Sequence, residues 1–130
     1  MRSRVAILLV LAMLTVGVAQ AHHSFAVFFD QDKNVTVKGT VTQYVFRNPH
    51  GLIQIDAKDD KGQVETWKVE TNAPVILQRR GWTKDSLKVG DVIVLEGWPA
   101  RNGTKYLRMK KVTRPDGSVI GTPFTIGEDK

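Results

Sequence analysis

The chain has 130 residues, 19 Lys plus Arg against 13 Asp plus Glu, a formal charge of +6 and 42% hydrophobic content. That length suits one domain with a modest core, and 25% charged residues is ordinary globular composition rather than disorder. The lack of cysteine excludes a disulfide scaffold, a thiolate metal site, a thiol nucleophile and a lipidated N-terminal cysteine.

The first segment reads as an address. Met1 to Arg4 is a short cationic start, Val5 to Val18 is almost wholly apolar, and Ala19-Gln20-Ala21 offers the small residues of a cleavage site. The apolar run falls short of the roughly 20 residues needed to span a bilayer. Residues 1–21 are therefore predicted to be a secretory signal, cleaved after Ala21, with a bacterial periplasm as the destination. No later run is apolar over a membrane length, so no integral membrane segment is expected after processing. Loss of Arg2 and Arg4 removes two of the six net charges, and the mature chain is only mildly basic.

Residues 22–34 form an arm before the first patterned segment. Val35, Val37, Val41 and Val45 then alternate with Thr36, Lys38, Thr40 and Thr42, which predicts a long strand with the valines on its buried face. Gly39 interrupts that face, as glycine does where a barrel strand bends. Asn48-Pro49-His50-Gly51 is a turn, and Leu52 to Ala57 a second strand. Lys58 to Gly62 is a polar hairpin loop, and Gln63 to Glu70 a third strand carrying Val64, Trp67 and Val69.

The period then changes. Thr71-Asn72 as cap, Pro74 in the first turn and Gly81 after Arg79-Arg80 predict a short helix, with Val75, Ile76, Leu77 and Trp82 on its apolar side. Thr83 to Leu87 reads as one more helical turn. Val92 to Leu95 is a fourth strand, Gly97 to Gly103 a loop, and Lys105 to Thr113 a fifth strand. Three strands, a helix and two strands is the element order of the OB-fold, so a mainly β, five-stranded OB-like barrel is expected over residues 35–114, with 115–130 as a C-terminal tail.

His22-His23-Ser24-Phe25, Asn48-Pro49-His50, Arg79-Arg80-Gly81-Trp82 and Ser86 to Asp91 together resemble an uncharacterised family of small exported bacterial proteins, a domain of unknown function. The resemblance covers the mature chain and implies export and the barrel. It implies no activity.

The three histidines carry the chemical lead. Cleavage after Ala21 makes His22 the mature N-terminus, where its α-amine and imidazole can chelate one ion. A second imidazole completes a planar three-nitrogen set suited to Cu(II), which tops the affinity order of divalent first-row metals. The arrangement is similar to the histidine brace of lytic polysaccharide monooxygenases and periplasmic copper carriers. His50 is the expected second imidazole and His23 the competing ligand, with Asp30, Asp32 and Met109 as further candidates. The expected function is periplasmic copper binding without catalysis. The alternative is a metal-free OB-type module for a protein or a small anionic ligand.

Trp98, in a Gly-Trp-Pro loop, reads as an exposed contact residue, with Arg47, Tyr106 and Arg108 as partner contacts. Alternation sends Tyr106, Arg108 and Lys110 to one face, and the run from Arg101 to Arg114 reads as a solvated edge strand. Trp67 and Trp82 read as core. Nucleic acid is not expected as the partner of an exported protein. No Gly-x-Ser-x-Gly elbow, phosphate loop or dinucleotide fingerprint occurs.

Overall fold

The computed structural model describes residues 25–127. Five strands, β1 (Val35–Val45), β2 (Leu52–Lys58), β3 (Val64–Glu70), β4 (Val92–Pro99) and β5 (Tyr106–Thr113), follow in order, with helix α1 (Pro74–Arg79) between β3 and β4. They close into a barrel in the order β1-β2-β3-β5-β4, and β4 pairs back onto β1. All pairs are antiparallel except β3 beside β5. This is the OB topology that the element order predicts.

The alternation in the sequence becomes the barrel interior. Val41, Ile53, Ile55, Val69, Leu95, Leu107 and Val112 have no exposed surface, and Leu77 and Trp82 join the same core. Each such burial contributes about 1.5–3 kcal/mol relative to exposure. Gly39 keeps two strands close: a Cβ there would stand 2.6 Å from the Asp56 carbonyl oxygen.

Several local expectations need correction. A β-bulge between Val41 and Gln43 shifts the phase of β1, so Tyr44, not Val45, turns toward the core opposite Ile53. A bulge puts two residues against one, and every later side chain changes face. Val64 begins β3 in solvent, 65% exposed. α1 has no side-chain cap; Ala73 precedes Pro74, and Thr71 and Asn72 are buried instead. Proline already has helical φ and no N–H to satisfy, so the helix starts without a capping side chain. Val75 on α1 is exposed, and Leu77 supplies its buried contact. Gly81 does end the helix, at φ 87°. Thr83 to Leu87 is a turn rather than a helix, held by Thr83 N–H to Ser86 Oγ at 2.8 Å and Asp85 N–H to Thr83 Oγ1 at 3.2 Å.

Trp98 is not on an exposed loop. β4 runs on to Pro99 through a bulge at Glu96/Gly97, and Trp98 is 5% exposed. Nor is β5 a solvated edge, because β4 and β3 flank it on both sides. Among the described residues no helix is long and apolar enough to cross a membrane.

Candidate functional site

The parallel β3–β5 pair provides the floor of the site. Val69, Leu107 and Met109 point into the barrel, so alternation puts Lys68, Glu70, Tyr106 and Arg108 on the opposite face. The register sets Lys68 beside Tyr106 and Glu70 beside Arg108. The β1–β2 turn, with its cis Asn48–Pro49 bond, brings in His50. The arm forms the wall. Residues 25–28 make a helical turn, and Phe29 bridges to Ala100. Asp30 N–H donates to Pro99 O at 2.9 Å, Arg101 N–H to Phe28 O at 2.9 Å, and Arg101 Nε to Ala26 O at 2.7 Å. Floor, turn, arm and the β4–β5 connection frame a half-open cavity of about 760 Å³.

A hydrogen-bonded network organises the floor. The Arg108 side chain is 4% exposed and donates from Nη1 to Glu70 Oε1 at 2.5 Å and to Thr71 O at 3.3 Å. Tyr106 donates its hydroxyl to Glu70 Oε2 at 2.8 Å. Burial, with the Glu70 hydrogen bond and charge, pushes the Tyr106 phenol up to about 12, so it stays a donor at neutral pH. Both Glu70 oxygens are thereby engaged.

His50 is half exposed at the cavity. Its Nδ1 lies 3.1 Å from Thr71 O and 3.2 Å from Arg108 Nη1. With the ring proton on Nδ1 it donates to Thr71; with the proton on Nε2 it accepts from Arg108. In either tautomer Nδ1 is engaged with the protein, and Nε2 is the nitrogen those contacts leave over.

The wall is aromatic. Phe25 packs edge-on against Trp98 with centroids 5.5 Å apart, and Phe29 stacks on Tyr106 at 5.8 Å. Phe29 is buried, whereas Phe28 stays 65% exposed and still lines the cavity. Trp98 thus acts behind the wall, as packing, and its predicted exposure is corrected.

The structure brings His50, Tyr106 and Arg108 together, as partner or ligand candidates chosen separately in the sequence. Arg108 is buried and ion-paired rather than solvated, because β3 and Glu70 cover it. Arg47 is exposed and does not line the cavity. Met109 is 1% exposed inside the barrel and Asp30 pairs with Lys33 at 3.3 Å, which removes Met109 from any surface metal shell. His22 and His23 lie outside the described residues. Among the described residues no three His, Asp or Glu side chains gather as a metal site. Sequence reasoning missed Lys68, Glu70, Phe25, Phe28 and Phe29. The three phenylalanines, spaced at helical intervals beside His22-His23, were the available signal.

A family model matches residues 10–108, a span that contains every described residue lining the cavity. The chain belongs to DUF6152, a family of unknown function. Among curated proteins none matches the sequence. Among solved structures, the barrel is similar to the mitochondrial single-stranded DNA binding protein Rim1 of S. cerevisiae. That likeness has a TM-score of 0.48 and 10% identity, over 69% of this chain and 95% of that one.

Proposed function

We propose that this member of DUF6152 is an exported binding module whose small-molecule ligand sits between the arm, the β1–β2 turn and the β4–β5 connection. One observation carries the reading: an aromatic wall faces a floor of charged and hydrogen-bonding groups across about 760 Å³. Small-molecule sites span about 300–1,000 Å³ and combine apolar lining with a few polar groups that fix orientation. OB barrels use their first and last inter-strand loops for ligands, and those two loops frame this cavity. The network supports binding rather than proton transfer. Both Glu70 oxygens are engaged, and the Tyr106 phenol is held far above neutral pH. The proposal takes residues 1–21 as the export signal and the periplasm as the compartment.

A second reading, copper capture, has its own support. His50 and Phe25 line one cavity, and His22 and His23 precede Phe25 by three and two residues. An extended chain covers about 3.3–3.6 Å per residue, so a tether of two or three residues can span roughly 7–11 Å from Phe25. Copper would then take the His22 amine and imidazole together with Nε2 of His50.

Protein isolated from the periplasm of an expression host, with its N-terminus verified by mass spectrometry, separates the two. A small organic molecule seen by native mass spectrometry and lost in Phe28→Ser supports the cavity module. Stoichiometric copper with nitrogen hyperfine structure in its EPR spectrum, abolished by the His22→Ala/His50→Ala double variant, supports the metal site. A bound molecule retained equally by wild type and Phe28→Ser contradicts the cavity module.

A further inference from the structure

Resting on the cavity reading, we infer that the ligand is an amphiphile with a single anionic head. Its apolar body lies against Phe25 and Phe28, and its head meets Lys68 and the Nε2 edge of His50.

The charge of the lining selects the head. Among the described residues, three cations, Lys68, Lys105 and Arg108, line the cavity against one carboxylate, Glu70. Arg108 is paired with Glu70, and Lys105 stands 2.7 Å from Glu65. Lys68 has no ion-pair partner among the described residues. Its backbone is fixed on both sides, paired with Gln54 of β2 and with Tyr106 of β5, so the ammonium is tethered at the cavity rim. An anion meets Lys68 without displacing a partner, and a cationic ligand would meet it uncompensated. Glu70 adds little repulsion, because the Arg108 guanidinium ion-paired with it offsets its charge. When Nδ1 of His50 accepts from Arg108, Nε2–H becomes a second donor for the head.

The arm selects the body. Phe28 keeps 65% of its surface exposed at the cavity, although Phe25 and Phe29 beside it pack on Trp98 and Tyr106. An exposed ring bordering an aromatic wall is apolar surface that a ligand can cover. Among the described residues lining the cavity, Lys68 is the one cation without an ion-pair partner, so one head group is matched rather than a polyanion.

Competition against anilinonaphthalene sulfonate, followed by fluorescence, tests this with butanoate, hexanoate, octanoate, octanol and inorganic phosphate. Each added methylene tightens binding about threefold to fourfold as it is buried. Octanoate binds about tenfold tighter than octanol, because a charge-assisted contact is lost in the alcohol. Inorganic phosphate does not compete. Lys68→Met weakens octanoate about threefold, the scale of an exposed ion pair, and leaves octanol unchanged. Phe28→Ser weakens both; each substituted side chain is exposed, so the fold is retained.

Octanol equal to octanoate, or no effect of Lys68→Met, overturns the anionic head while the cavity reading stands on Phe28→Ser. Dye binding unaffected by Phe28→Ser, with no competition from any amphiphile, overturns both. Tight binding to phosphatidylglycerol vesicles without competition by free octanoate overturns the inference in favour of a lipid surface.

Discussion

The two segments that flank the barrel meet it in different ways. The C-terminal segment after β5 makes a buried contact. Ile120 N–H donates to Val112 O, Thr122 N–H to Arg80 O and Phe124 N–H to Lys110 O, and both Ile120 and Phe124 are buried. The Arg80 guanidinium lies 4.4 Å from the Phe124 ring centroid, and Trp82 beneath is 1% exposed. The N-terminal arm is also stitched by backbone hydrogen bonds, yet it leaves a cavity, an exposed Phe28 and a charged floor. A segment that serves only stability covers what it touches. One that leaves apolar and charged groups facing each other across open space keeps a place for something else.

Substitutions at the two segments should separate these roles. Trp82→Ala removes a fully buried indole and is expected to cost about 3–5 kcal/mol in urea unfolding. A cost below about 1 kcal/mol would show that the C-terminal region is not the packed one. Glu70→Ala takes the carboxylate from a guanidinium that is 4% exposed, and is expected to cost about 2–3 kcal/mol. The Glu70→Ala/Arg108→Met double variant should lose clearly less than the sum of the single losses. Additivity would mean that the pair is not coupled.

The pH dependence probes both regions at once. Tyr106 on the cavity floor and Tyr44, which donates to Thr83 O and packs on Trp82, are the only two tyrosines. Burial raises both to about 12 from an ordinary 10.0, with Asp85 adding to Tyr44 and Glu70 to Tyr106. The folded state then holds protons that the unfolded state has released. Their contribution to stability is complete below pH 10 and is lost as the pH rises toward 12. Phenolate absorbance should therefore titrate near 12 in folded protein, and a midpoint near 10 for either would contradict its placement. The smallest stability effect belongs to Phe28→Ser, within about 0.5 kcal/mol, because 65% of its surface is already exposed. That variant is expected to change ligand binding and little else.

Much of the barrel was legible because strand alternation is a local property. Ile53, Ile55, Val69 and Leu107 alternate with polar residues, and Asn72 to Gly81 changes the period as a helix does. What failed depended on partners far along the chain. The bulge that turns Tyr44 inward is set by pairing with β2, and the burial of Trp98 by Phe25 more than seventy residues earlier. Arg108 looked solvated because nothing near it in the chain announces Glu70. Only the parallel β3–β5 register brings the two together. The site was half legible: His50, Tyr106 and Arg108 stood out by type and position. Lys68, Glu70 and the phenylalanines did not, since lone Lys, Glu and Phe residues are common in any domain. The proposed copper ligands His22 and His23 remain a reading of the sequence.

The cavity reading is tested most directly by mapping where a ligand binds. Backbone amide chemical shifts of labelled protein, followed by NMR during titration with octanoate, should move in saturable fashion in the arm near Phe28, in the turn at His50, and along Lys68, Glu70, Tyr106 and Arg108. Residues around Trp82 and Phe124 should stay still. Saturable shifts centred on Trp82 and Phe124, or no saturable shift near Phe28 and Lys68, would contradict the account.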